Sequence, residues 1–364
     1  MAQAIPTRRI VPRRVWVFLA LLVLPLLLVW GAPLIVANSP LLRAAVNSAT
    51  GELPFRVEVG SATLEWFSRV ALYDVKLTDL EGRPLAEIGK LETDRALSQL
   101  ALDRGNLGKL RIENAVGNLV FEQNSSNWEA AFLPLFVETP SGPPPQFTLE
   151  LASVRLELVD APNARKWTVD RVEGEIVSVP GEAPHGQIAW SFLPGNPASP
   201  PNGSLEFRLP ETGDADTVPQ PGEAKLLAAG FPLALAEPFV RRGAPSSVLT
   251  GAADADLTFR WSAERQEAEI RRLALGQFVW SDPLRFGEDT IRLTHCRALG
   301  RVVRQGERLS AENLLLETDL GHANFTGSIP LTGIDTAAAP LRLVQVLAAG
   351  DLTLSGEIDR KSVV

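Results

Sequence analysis

The sequence predicts a mainly β protein, antiparallel in its strands, tethered by an N-terminal transmembrane helix and punctuated by a few short helices. Three observations predict it. From Val15 to Ala37 the chain carries no charged residue and is mostly apolar. Beyond Gly51 the apolar residues recur with a period of two. Glycine-led segments, GQIAWSF (186–192), GSLEFRL (203–209), GHANFTG (321–327) and GDLTLSG (350–356), repeat the join of a turn to an alternating strand without fixed spacing.

At about 1.5 Å per residue the 15–37 run reaches roughly 34 Å as a helix, enough for a hydrocarbon core about 30 Å thick. Arg8, Arg9, Arg13 and Arg14 precede it, so the positive-inside rule keeps residues 1–14 in the cytoplasm and exports the rest. Trp16 and Trp30 lie towards its ends, as an aromatic belt requires, and Pro25 and Pro33 are tolerated in a membrane helix. The competing reading is a cleaved signal peptide. Its apolar core is usually about 7–15 residues long, and no A-x-A site follows here. Both readings put the bulk of the protein outside the cytoplasm.

Residues 40–50 read as a short amphipathic helix closed by Gly51. Phe55, Val57 and Val59 then alternate with Arg56 and Glu58, and Tyr73, Val75 and Leu77 with Asp74 and Lys76. Leu110 and Ile112 alternate with Lys109, Arg111 and Glu113. Such alternation marks strands with one dry and one wet face. A short helix near 95–102 interrupts this group. The proline-rich stretch 140–145 marks a linker or an excursion, between a first β region, 38–138, and a second, 139–358. Strands are expected at 147–151 and 154–158, near 167–169 and 176–179, and at 188–192 and 205–209. Loops fall at 194–203 and 210–222, and a short helix at 232–242. Further strands are expected at 254–261, 267–275, 291–299, 313–318 and 351–358.

Composition narrows the function. With 45% hydrophobic and 21% charged residues the chain is a folded one. Its net charge of −8, with no basic stripe after the anchor, argues against a nucleic-acid partner. One cysteine, Cys296, rules out an intramolecular disulfide framework and reads as a small buried hydrophobe. His185, His295 and His322 lack partners at metal-ligand spacing, and His295 and Cys296 point to opposite faces if they lie on a strand. No G-x-S-x-G elbow, P-loop or H-E-x-x-H is present. The expectation is therefore no catalytic residue, no metal, no cofactor and no enzymatic activity. Asp254 and Asp256 share a strand face that reads as solvated, and Asn124-Ser125-Ser126 matches a sugar-acceptor triplet too short to weigh much. The apolar positions suit either a closed sandwich or an open trough, since both require alternation.

Leu53 to Phe132 favours the trough by resemblance. Val57 to Leu64 matches a "v-x-i-G-x-x-x-l" strand, and Val70 to Leu85 an "l-x-l-x-d-v-x-l-x-d-x-x-G-x-P-l" hairpin. A short helix at Ala96 to Leu102 follows. Leu107 to Phe121 matches "i-x-x-l-x-i-x-x-p-x-l-x-l", with Asn114-Ala115 where proline is common, and the polar turn Ser126-Asn127-Trp128 closes the region. With the anchor before it, this order resembles the N-terminal region of AsmA-like envelope proteins. The resemblance covers residues 10–132 well and is general beyond.

It implies an elongated, curved antiparallel sheet forming an apolar β-groove, anchored once in a bacterial inner membrane with its bulk in the periplasm. It further implies passive guidance of phospholipid between membranes and an outer-membrane or envelope protein as partner. The dry-face positions expected to line such a groove are Leu110, Ile112, Leu156, Leu158, Leu205, Phe207, Leu257, Phe259, Leu352 and Leu354. The alternative is a non-enzymatic scaffold or assembly factor for outer-membrane or envelope proteins. The last six residues, DRKSVV (359–364), back-translate to a common sequencing adapter. They are expected to be a non-native tail on a chain that naturally runs on.

Overall fold

An alternating strand has an apolar face to cover and backbone groups to satisfy along both edges. The chain meets the second demand by pairing each strand with its neighbours in sequence. In the computed structural model, which describes residues 29–51, 53–137, 145–192, 202–210, 220–331 and 353–358, the strands form one fifteen-stranded sheet in simple sequential order. They are β1 (Arg56–Thr63), β2 (Arg69–Thr78), β3 (Pro84–Ala96), β4 (Asn106–Phe121), β5 (Gln146–Asp160), β6 (Arg165–Ser178), β7 (His185–Ser191) and β8 (Gly203–Arg208). Then come β9 (Gly222–Pro232), β10 (Val248–Trp261), β11 (Arg265–Ser281), β12 (Thr290–Gln305), β13 (Arg308–Thr318), β14 (Gly321–Pro330) and β15 (Thr353–Ile358).

Every junction is antiparallel except one: β4 and β5 run parallel. The sheet is thus predominantly antiparallel, as expected, with one junction that departs from it. A parallel pair needs a crossover, and the connection contains helix α4 (Asn127–Val137), where a closing polar turn was expected. The same Asn-Trp residues open it. Ser126 Oγ accepts from the Glu129 N–H at 3.2 Å, while the Asn127 amide accepts from Val120 N–H and donates to the Asn118 carbonyl, both at 2.8 Å. Trp128 Nε1 donates to the Leu85 carbonyl at 3.1 Å.

The other helices are α1, described from Val29 to Ala37, α2 (Leu41–Thr50), α3 (Leu97–Leu102), α5 (Glu237–Val240) and α6 (Pro283–Phe286). Among the described residues no single helix is long and apolar enough to cross a membrane; α1 and α2 qualify by composition only as a pair bent by 92°. The rest of the 15–37 run, the linker at 140–144 and the 359–364 tail lie outside the described residues.

Three strand expectations change: β3 runs on to Ala96, past the hairpin expected to end at Leu85 and into the start of the helix expected near 95–102. The pair at 147–151 and 154–158 is one continuous strand, β5, and β9 occupies a segment not expected to be a strand. The merging of 147–151 with 154–158 has a local cause. Asp74, Asn114 and Ser153 take positive φ values of 52°, 54° and 58° inside β2, β4 and β5. Each breaks the alternation of its own strand, in step across β1–β5, and Ser153 is an extra residue against β6, so apolar positions three apart, such as Leu151 and Val154, stay on the same face. Glycine stands opposite on β1 and β3 because there is no room for more. A Cβ on Gly60 would lie 2.9 Å from Asp74 Cβ, and one on Gly89 3.1 Å from Asn114 Cβ.

The buried core is concentrated at the start of the sheet. Val59, Val75, Ile88, Ala115, Val154, Leu158, Val169 and Val172 pack with Leu42 from α2 and with Leu235 of the short turn before α5.

Candidate apolar trough

Residues directly opposite on paired strands share a face, so the registers trace rows across the whole sheet. One row runs Val59, Val75, Ile88, Ala115, Val154, Val172 and Trp190. It continues through Gly203, Ala228, Ala255, Leu273, Ala298, Leu316, Ala323 and Gly356. It holds one residue from each strand, and none is polar. Only 45% of the chain is hydrophobic, with 28 glycines besides, so composition does not produce such a row by chance.

Two parallel rows contain most of the positions expected from sequence. Ile112, Leu151, Gly174, Ile188, Leu205, Leu226, Leu257 and Ile270 form the first. Leu110, Leu149, Ile176, Gly186, Phe207, Ala224, Phe259, Ala268 and Val302 form the second. Leu156 pairs with Gly117 and Val169, and Leu158 with Leu119 and Trp167, on the same face near the other end of β5. The structure thus brings Ile112, Leu205 and Leu257 into one row and Leu110, Phe207 and Phe259 into the next. Leu354 pairs with Phe325 at the far edge, and Leu352 lies outside the described residues. Sequence reading missed the β9 members Ala224, Leu226 and Ala228. They do alternate, but two are alanines, and Leu227 between them faces the other side and blurs the period.

This face is covered at the beginning and open later. Over β3–β5, α4 packs on it, with the Trp128 ring standing where a side chain at Gly117 would be. Phe132 stacks edge-on against Phe55 and Trp128. At the strand ends around Phe121 and Pro232, α5 closes one end. β4 and β9 are five strands apart, roughly 24 Å at about 4.8 Å per strand. Yet Phe239 of α5 lies 5.2 Å from Phe121 between ring centroids, and Arg242 pairs with Glu129 of α4 at 2.7 Å. The sheet therefore curls around its apolar face there. A buried charge cluster holds the closure. Glu237 and Asp160 are both 0% exposed. Glu237 accepts from Asn163, Arg165 and the Leu249 N–H at 3.1, 2.8 and 3.1 Å. Arg241 meets Asp160 at 2.5 Å as a charge contact rather than an aligned hydrogen bond. Further along, Phe259 is 40% exposed and the apolar rows are only half-buried.

The opposite face is charged. Arg111, Glu150, Glu175, Gln187, Glu206, Lys225, Thr258, Glu269, Arg301 and Glu312 form one of its rows. Arg260 bridges Glu223, Glu267 and Glu269 at 3.4–3.5 Å. Half-exposed pairs like these add little stability, but they define register, since a one-residue slip would put every charge on the apolar side. A depression of about 970 Å³ lies mainly over this face, lined by Glu150, Glu175, Glu206, Lys109 and Lys225 among others. The hydrogen bond and charge of Lys109 outweigh partial burial and hold the Glu150 carboxyl below its usual range. This is a paired, open surface, although Leu151, Gly174, Gly186 and Phe207 of the apolar rows also reach its lining.

The residues singled out for chemistry are dispersed. Cys296 is buried and His295 exposed; burial and the nearby Asp319 push the thiol up, away from the reactive thiolate. Among the described residues no group of three or more His, Cys, Asp or Glu is arranged to hold a metal ion. Comparison of the chain with protein-family models, curated proteins and solved structures gives no match.

Proposed function

We propose that this chain is a membrane-anchored carrier of AsmA-like type, lodged in a bacterial inner membrane and guiding phospholipid acyl chains along its apolar sheet face. The observation that carries the reading is the unbroken apolar row over all fifteen strands, flanked by two further apolar rows and backed by a charged face. The physical mechanism is partition. Each CH₂ exposed to water costs about 0.8 kcal/mol, so an acyl chain of about fifteen such groups costs on the order of 12 kcal/mol outside a bilayer. A surface without polar interruption keeps that cost off at every step, and no nucleotide is required for movement down a gradient. Fourteen inter-strand steps of about 4.8 Å give a path of roughly 65–70 Å along the sheet.

The test is photo-crosslinking in cells labelled with radioactive phosphate, with a benzophenone amino acid at Phe207 or Leu257, and at Glu206 or Lys225 on the charged face. The carrier reading expects labelled phospholipid on the first pair only. Equal labelling of both faces, or none, rejects it. Among the described residues the outer edges of β1 and β15 pair with no further strand, which favours the second reading, an assembly scaffold that adds a partner's strand to the sheet. Protein adducts at those edges without lipid adducts at Phe207 would establish that reading instead.

A further inference from the structure

The surface that the carrier mechanism does not use lies at the opposite extreme of the chain from β15, where α1 meets the β1–β2 loop. Trp30 is 63% and Phe67 73% exposed, and their rings lie 5.7 Å apart. Val29, Leu34 and Ile35 on α1 are exposed as well, while Pro33 is buried. The loop is fastened there: Trp66 Nε1 donates to the Val29 carbonyl at 2.9 Å. From the other side α3 holds it, with Ser98 N–H donating to the Trp66 carbonyl at 3.1 Å. Contiguous exposed apolar side chains on a well-fastened loop mark an interaction surface.

We propose that this aromatic clasp is a second membrane contact, in which Trp66 and Phe67 sit in the bilayer interface beside the anchor and the first strand of the trough starts at the lipid. The inference rests on the anchor part of the proposed function. Three observations select a bilayer as the occupant. The exposed face of α1 continues the uncharged run that begins at Val15. The 92° bend between α1 and α2 lays α2 along the membrane plane when α1 stands along its normal. Tryptophan and phenylalanine between Glu65 and Arg69 form a neutral, amphipathic tip, the composition that membrane interfaces favour.

The test uses the full chain in phosphatidylcholine–phosphatidylglycerol vesicles, in a Cys296→Ala background. A polarity-sensitive fluorophore is attached at Phe67→Cys, at Leu34→Cys as reporter of the anchor, or at Glu264→Cys in the distant β10–β11 turn. The expected result is blue-shifted emission and quenching by lipids brominated on the upper acyl chain at positions 67 and 34, with neither effect at 264. Quenching at 34 without quenching at 67 overturns the clasp as a membrane contact, leaves the anchor standing and assigns the patch to a protein. No quenching at either position overturns both.

Discussion

Removing the Glu237 carboxylate is the sharpest perturbation of this fold, because one buried group on α5 ties two separate parts of the sheet. Its oxygens accept from Asn163 and Arg165 at the β5–β6 corner and from the Leu249 N–H at the start of β10, while Arg241 approaches at 3.7 Å. In Glu237→Ala the guanidinium of Arg165 loses its carboxylate partner, Arg241 keeps only Asp160, and a buried N–H is orphaned. Breaking a buried ion pair by deleting one partner costs about 3–5 kcal/mol. In a sheet where each strand contacts mainly its sequence neighbours the loss stays local, as in repeat proteins.

The proper readout is therefore hydrogen exchange by mass spectrometry rather than a single melting temperature. At about 1.4 kcal/mol per factor of ten, exchange across 160–165 and 237–249 should accelerate roughly 10²-fold or more, while β12–β14 stay unchanged. Glu237→Gln, which keeps acceptor oxygen but not charge, should fall in between. An acceleration under about tenfold in Glu237→Ala would show that the cluster is not what closes this end of the trough. Uniform acceleration over all strands would refute the premise of local coupling.

Other outcomes follow from the same geometry. Ile88→Ala, at an 8% exposed position, should cost about 2–5 kcal/mol in urea unfolding. Phe259→Ala, on the open stretch, should cost under about 1.5 kcal/mol; a penalty of 3–5 kcal/mol there would mean a filled core. Gly203→Ala places a Cβ 2.4 Å from the Trp190 ring and should lower stability by about 1–3 kcal/mol, with altered tryptophan emission as the local sign. At the β2–β3 turn, burial alone would raise the Asp79 carboxyl. The Arg83 N–H at 2.7 Å and its guanidinium outweigh burial and hold the carboxyl below its usual value. The turn's protection should be complete above the ordinary aspartate pKa of about 3.9 and fall as pH drops through the depressed folded value. Asp79→Asn should lose protection at pH 7 and flatten the dependence. Exchange at 76–86 measured across pH 6 to pH 2.5 checks both.

The sequence by itself determined the class of structure and the faces of its strands. Period-two alternation reports local geometry directly, because successive side chains of a strand point to opposite sides. That is why Leu110, Ile112, Leu205, Phe207, Leu257 and Phe259 all proved to share one face, and why the short helix at Leu41–Thr50 and the one at Leu97–Leu102 were legible. Alternation carried less where residues were small or the period slipped: β9 hid behind alanines, and Ser153 made one strand look like two. Tertiary structure alone decided that the rows join into an unbroken path, because that depends on register, which no single strand encodes. It alone decided that β5 runs parallel to β4 and that α4, α5 and the Glu237 cluster close one end while the face around Phe259 stays open. Those outcomes rest on contacts between residues far apart in the chain, such as Glu129 with Arg242 and Phe121 with Phe239, and long-range contacts leave no period to read.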